Sequence, residues 1–328
     1  MTIAEYLEHE IALGSFPGAS WVVGSRRGID QTGAVGHSVA VPLRIPATVD
    51  TIYDCASITK PLVTTTLALE LFPLDHVIHG YTVFELLTHT TGLRPWLPLY
   101  TFDDPVRAIL EEGPECERGT RVIYSDLNFI LLWMAIGRDF DELARSRVGA
   151  RIKPAASLKP RIAATEWGQW WEMKMAMSME RGGGSGEKKL LPAPRSPLRA
   201  GLIWGETHDG NSHALGHGCA GNAGLFATAT EVFEITRSVL ARTPPVKNET
   251  AGLNDARGLG WQMGTGSAMT EMLSPGNFGH TGFTGTSVWI DPQRDKIMVL
   301  LTNRVHPIAA PNAMLRIRGE FHRLALAE

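Results

Sequence analysis

The sequence is short of several features that would settle its class at once. Its 328 residues hold only three cysteines, Cys55, Cys116 and Cys219. An odd, widely spaced set argues against a disulfide framework and suits a reducing compartment. Charge of neither sign dominates. The 31 Lys and Arg against 34 Asp and Glu leave a net charge of -3, so neither nucleic acid nor an anionic membrane is expected as partner. No apolar run approaches the roughly 18 residues that span a bilayer. The opening MTIAEYLEHEIALG has early glutamates and no basic n-region, unlike a secretory signal. A cytoplasmic location is the expectation; a periplasmic one would require an export signal that had been removed. At 44% hydrophobic and 20% charged residues, the chain has an ordinary soluble globular composition. It is long enough for one large core or two smaller lobes.

The patterning that is present falls into blocks. TIAEYLEHEIAL opens with a capping box, Thr2 and Glu5, ahead of an apolar stripe at Leu7, Ile11 and Leu13. ASWVVG and QTGAVGHSVAV are short and Gly-punctuated, as antiparallel strands are. A helix is expected from about Thr59 to Leu71. Another starts at the capping box Thr82 and Glu85 and stops by Gly92. DDPVRAILEE is amphipathic, and SDLNFILLWMAIG is apolar enough to be a buried helix. TATEVFEITRSVLAR predicts a helix, TGTSVWIDPQRDKIMVLLTN a hairpin, and residues 311 to 327 a closing helix. Strands at both ends with helices between them predict an α/β (α+β) architecture. An antiparallel sheet from both termini is flanked by terminal helices, with a helical lobe inserted. The boundaries fall at 1–55 plus 258–328 for the sheet lobe and 56–257 for the helical lobe.

Residues 149 to 201 differ in character, being basic and Pro- and Gly-rich with a GGGSG tract, and 168 to 200 within them form the expected flexible insertion. They predict a long connection with a flexible tip. Within it, WEMKMAMSME alternates its methionines as a hairpin strand or a loose apolar flap would. Structural decoration is favoured there over a substrate lid, because insertions at loops are well tolerated.

Three short stretches can carry chemistry. In DCASITKPL, Ser57 stands three residues before Lys60 at a helix start. Positions i and i+3 share a face, and a serine there feels the positive end of the helix dipole. A lysine that is desolvated beside it has its pKa pushed down and can take the serine proton. Alone, the pattern also fits an ordinary helix start. In YSDLNF, Tyr124 precedes a buried helix; a phenol near an ammonium can act as general base, or simply pack its ring. In GHTGFTG, the glycines allow close backbone approach, and His280 can bear a charge or donate a hydrogen bond.

Together and in this order, S-x-x-K, Y-S-[ND] and [KH]-T-G resemble the serine β-lactamase and penicillin-binding protein superfamily. Within it the chain is most similar to the branch of class C β-lactamases, D-alanyl-D-alanine carboxypeptidases and β-lactamase-like esterases. FELLTHTTGL, GHGCAGNAGLFATATEV and LLTNRVHP add to the resemblance, which runs over roughly residues 5 to 325 with 168 to 200 outside it. It implies a single β-lactamase/transpeptidase-like domain and a serine hydrolase acting through an acyl-enzyme on an ester or amide. Ser57 would be the nucleophile, and Lys60 and Tyr124 would share the base work. His280 would orient substrate or tyrosine, with Thr281 and Gly282 beside it. The amides of Ser57 and Phe283 would form the oxyanion hole. No metal or organic cofactor is implied. The partner would be a small-molecule or peptide-like acyl substrate.

Two residues depart from the family pattern. Asp126 stands where Y-S-N has asparagine, and a carboxylate cannot donate to a β-lactam or peptide carbonyl. His280 stands where many members have lysine, so a fixed positive charge is not assured. The stretch LELFPLDHVIHGYTVFELL is also short for the family, which changes the rim of the cleft. These departures favour an ester or amide of another kind over antibiotics. They also motivate an alternative, a catalytically silent ligand sensor. A zinc site in HDGNSHALGHG, from His208, Asp209, His213 and His217, is a weaker alternative because the spacing fits no evident geometry. His208 and Asp209 are placed by the resemblance near the edge of the cleft.

Overall fold

The first strand of the sheet explains the layering. In the computed structural model, which describes residues 1–180, 199–309 and 313–327, Trp21 and Val23 pack on one face of the sheet and Val22 on the other. Successive strand side chains point to opposite faces, and both faces are covered. Seven strands form the sheet: β1 (Gly18–Ser25), β2 (Gly28–Val39), β3 (Ile45–Pro46), β4 (Gln262–Met263), β5 (Phe278–Thr281), β6 (Ser287–Asp291) and β7 (Lys296–Thr302). Their order is β3-β2-β1-β7-β6-β5-β4. The central pair joins the two ends of the chain, with Trp21 opposite Leu300.

On one face lie α1 (Ile3–Ala12) and the closing helix α9 (Met314–Ala327). Ile3, Leu7, Ile317 and Phe321 pack there against Trp21, Trp289 and Leu300. The capping box of α1 is formed as expected: Thr2 Oγ1 accepts from Glu5 N–H, and Glu5 Oε2 from Thr2 N–H. Such a cap contributes about 1 kcal/mol. On the other face Val22, Val288 and Val299 meet Ile58, Leu62 and Phe233, the last from α8 (Ala229–Arg242).

The segment after Ser57 departs from the single helix expected. Ala56–Ile58 is a 3₁₀ turn, Lys60–Thr65 is π-helical, and only Thr66–Leu71 (α2) is α-helical. Pro61 lacks the N–H an α-turn would use, and wide turns of this kind recur at functional sites. The helical lobe is completed by α3 (Val83–Thr88), α4 (Pro105–Glu112) and α5 (Asp126–Ile136), with a core that includes Leu86, Leu87, Leu127, Ile130 and Leu131.

WEMKMAMSME is neither strand nor flap; Trp170–Glu180 is a helix, α6. Its Glu, Met, Lys and Ala are strong helix formers, and alternation alone does not make a strand without a sheet edge to pair with. The GGGSG tract lies outside the described residues. Among the described residues, no helix is long and apolar enough to cross a membrane.

Candidate active site

A cavity of about 710 Å³ opens between the sheet edge and the helical lobe, with Ser57, Tyr124, Asp126, Asp209, His280 and Phe283 among its lining residues. Ser57 is positioned by a strained turn. Ala56 adopts a left-handed φ of 47°, unusual for a residue with a Cβ. The buried carboxylate of Asp54 accepts from Ala56 N–H at 2.9 Å and from His208 N–H at 2.8 Å. One acid thus fixes both the turn before Ser57 and the loop that carries Asp209.

Lys60 is fully buried and its ammonium is surrounded by acceptors. Nζ donates to Ser57 Oγ at 3.0 Å and to the Asn222 carbonyl at 2.9 Å, and lies 2.6 Å from Asp126 Oδ1. The Tyr124 ring centroid is 5.1 Å away. The expectation that desolvation lowers the lysine pKa is corrected here. Burial does oppose the charge, but Asp126 and Tyr124 outweigh it and hold Lys60 above the ordinary lysine value. Asp126 is itself pushed up by burial, with Lys60 opposing. The pair is a close ion pair facing the cleft.

His280 on β5 is buried beside Tyr124, ring centroids 5.9 Å apart. Its Nδ1 lies 2.8 Å from the Thr281 carbonyl, so Nδ1 carries the proton and Nε2 is an acceptor with no hydrogen-bond partner among the described residues. Burial, with Lys60 and Arg257 nearby, pushes its pKa well below the usual histidine value. It is a neutral ring, not a substitute for a lysine cation. Thr281 closes the strand. The Gly282 carbonyl accepts from Arg318 Nη2 at 3.3 Å, and Gly282 N–H donates to Thr286 O. Among the described residues, Phe283 N–H has no hydrogen-bond acceptor. A backbone donor left free beside a helix-start serine is what an oxyanion site requires.

Several residues of this site were not legible in sequence. His89, at the left-handed end of α3 (φ 58°), is buried against Tyr124 with ring centroids 4.7 Å apart. Its Nδ1 accepts from Ser125 N–H at 3.1 Å and from the Asn128 amide at 3.3 Å, which fixes the start of α5 and with it Tyr124. Asn222 acts through its carbonyl, which any residue type could supply. Helix α6, expected as decoration, forms part of the wall through Trp171 and Glu172. Trp171 packs 5.3 Å from the Phe283 ring. Burial and the neighbouring Asp209 push Glu172 up to about 7. Arg257, Arg304 and Arg318 also line the cavity, with Arg257 5.3 Å from the Tyr124 ring centroid and Arg304 4.8 Å from that of Phe283.

The four members of HDGNSHALGHG do not converge. His208 Nε2 faces Glu166 at 3.1 Å, His213 faces Glu206 at 3.4 Å, and His217 is exposed. Among the described residues, no group of three or more His, Cys, Asp or Glu could hold a metal ion. A second cavity, about 620 Å³ beside α8 and Phe278, contains no serine–lysine pair.

A buried lysine on a serine, under a tyrosine and beside a free amide, is the arrangement of a serine hydrolase of the β-lactamase and penicillin-binding type. Comparison with known proteins agrees: the profile of the Beta-lactamase family matches residues 3–321, and the chain belongs to that family. A relative from Escherichia coli (strain K12), named as a D-alanyl-D-alanine carboxypeptidase, is 26% identical over 84% of this chain and 74% of its own. An N-acetylmuramyl-L-alanine amidase of Bacillus subtilis (strain 168) is 24% identical over 94% of this chain and 82% of its own. The fold is shared with a β-lactamase/D-alanine carboxypeptidase from Yersinia pestis, at TM-score 0.67, 16% identity and coverage of 99% and 98%. It is shared equally with EstCE1, a hydrolase with promiscuous acyltransferase activity, at TM-score 0.66, 16% identity and coverage of 98% and 97%.

Proposed function

We propose that this protein hydrolyses an ester or amide of a small-molecule or peptide-like acyl compound through an acyl-enzyme on Ser57. The observation that carries this reading is the Lys60 ammonium held 3.0 Å from Ser57 Oγ in a buried setting at the cleft. A structural lysine has no need of that burial, which costs several kcal/mol before pairing.

Ser57 Oγ attacks the carbonyl carbon as its proton passes to the Tyr124 oxygen. Lys60 stays an ammonium throughout and stabilises the charges formed around it. The oxyanion lies against the Ser57 and Phe283 amides. Tyr124 returns the proton to the leaving group, and water then attacks the acyl carbon by the same route in reverse. A general base of this kind contributes roughly 10²- to 10⁴-fold, and an oxyanion donor about 10²- to 10³-fold.

Asp126 and the neutral His280 support ester and amide substrates over β-lactams, since neither supplies the donor or cation a β-lactam's amide and carboxylate would use. The test is acylation by p-nitrophenyl acetate and by a labelled penicillin, in wild type and in Tyr124→Phe. Ester turnover with slow penicillin turnover, and a loss of about 10²-fold or more in the variant, is the expected result. Unchanged turnover in Tyr124→Phe would remove the tyrosine from the mechanism.

A further inference from the structure

The two amides of the oxyanion site come from segments far apart in sequence, Ser57 after the Ala56 turn and Phe283 after β5. Two hydroxyls stitch these segments together. Thr284 Oγ1 donates to the Asp54 carbonyl at 2.7 Å, and Thr286 Oγ1 to the Cys55 carbonyl at 3.0 Å. Those bonds set how near the segments lie, but they do not aim the Phe283 N–H, which has no acceptor among the described residues. The aim has to come from whatever holds the Phe283 carbonyl and ring.

The carbonyl accepts from Arg304 Nε at 2.9 Å. The ring, itself only partly buried, meets three neighbours: the Arg304 guanidinium, the Trp171 indole and the His208 imidazole. His208 is stacked on it, with centroids 5.5 Å apart and planes 24° apart. His208 differs from the other two in being tied at both ends. Its Nε2 lies 3.1 Å from Glu166 Oε2, both side chains being buried. A carboxylate there makes Nε2 the protonated, donating nitrogen and fixes the rotation of the ring. The Glu166 charge also favours the Arg304 guanidinium. At the other end, His208 N–H donates to Asp54 Oδ2, while Asp54 Oδ1 takes the Ala56 N–H. One residue thus bears on both halves of the oxyanion site, by its backbone on the Ser57 turn and by its ring on Phe283.

We infer that His208, held by Glu166, is a positioning residue of the oxyanion site: its stacked ring keeps the Phe283 amide aimed at the place where the oxyanion forms beside Ser57. The inference rests on the serine-hydrolase reading and extends it to two residues that act through Phe283. An aimed amide matters most where negative charge develops. Its loss therefore falls on the transition state and spares ground-state binding.

The experiment measures kcat and KM for p-nitrophenyl acetate and inhibition by phenylboronic acid, whose tetrahedral adduct on a serine puts an anionic oxygen in the oxyanion place. Wild type is compared with His208→Gln, His208→Phe and Glu166→Leu. In His208→Gln and Glu166→Leu, kcat and boronate affinity should fall together by about tenfold or more while KM changes little. His208→Phe keeps the backbone N–H and a flat ring over Phe283, so it should stay close to wild type. Either of the first two variants matching wild type overturns the inference. So does a His208→Phe as impaired as His208→Gln, which would place the role in the imidazole nitrogens and not in the stack. Should His208→Gln fail to fold, the other two variants decide by the same criteria. Wild type that neither releases p-nitrophenol nor binds the boronate overturns the serine-hydrolase reading as well, whereas turnover in wild type with no loss in the variants overturns the inference alone.

Discussion

The Lys60 ammonium bridges Ser57 and Asp126, 3.0 Å from the hydroxyl oxygen of one and 2.6 Å from a carboxylate oxygen of the other. The bridge decides which protonation state the lysine keeps. Burial alone would strip its proton, and the acid beside it prevents that.

Asp126→Asn should therefore change the pH dependence of the reaction. With the carboxylate gone, burial dominates and Lys60 loses its proton at lower pH. The alkaline limb of kcat/KM for a phenyl ester should move toward neutrality. Loss of the partner should also destabilise the fold by about 3 kcal/mol, the usual consequence of leaving one member of a buried pair alone. A profile that matches wild type would show that Asp126 does not govern the lysine.

Gly282 is fixed by space, not by conformation. A Cβ built there would meet Thr286 Oγ1 at 2.1 Å and the Cys55 carbonyl at 2.6 Å. Gly282→Ala should push the strand end away from the Ser57 turn and cost about 1–3 kcal/mol. Acylation of Ser57 should fall with it. A variant that melts and acylates as wild type would mean that this backbone contact carries no functional weight.

Much of this frame was readable before any coordinates. Capping boxes at Thr2 and Thr82 set helix starts with local chemistry, and short β-rich, Gly-punctuated runs at both ends of the chain gave the sheet. The motifs located Ser57, Lys60, Tyr124 and His280 because each depends on its own side chain. Asp54, His89 and Asn222 were missed because their roles come from backbone bonds across the fold. The methionine alternation of α6 misled because helix and strand patterns coincide in so short a run. The lysine's protonation state was misjudged for a related reason. Desolvation can be guessed from an apolar run, whereas the Asp126 contact joins two segments far apart in sequence.

Buried histidines should make the protein acid-labile. His322 on α9 is pushed down from 6.5 to about 4 by burial, while its Nδ1–H donates to the Met269 carbonyl at 2.8 Å. In the unfolded chain it binds a proton at higher pH. Its contribution is therefore present above 6.5 and lost as pH falls toward 4, an effect of order 3 kcal/mol at most. His89 and His280 are shifted the same way. Chemical denaturation across this range should show a shallower acid loss in His322→Gln than in wild type. Parallel curves would contradict the assignment.

Glu172 should act with the opposite sign. Its carboxyl is raised from 4.5 to about 7, so the folded state holds a proton that the unfolded state releases. Stability from this group is present below 4.5 and lost as pH rises to 7. Glu172→Gln should remove that loss, so the gain of the variant over wild type should grow with pH through the window. A gain independent of pH would show that the carboxyl is ionised in the fold at all these pH values.

The central claim is that Ser57 is the nucleophile, and intact-protein mass spectrometry with peptide mapping tests it most directly. After brief incubation with p-nitrophenyl acetate or a labelled penicillin, one acyl adduct on Ser57 is expected, absent from Ser57→Ala. A folded protein that takes no adduct from either reagent, or takes it on another residue, would contradict the account.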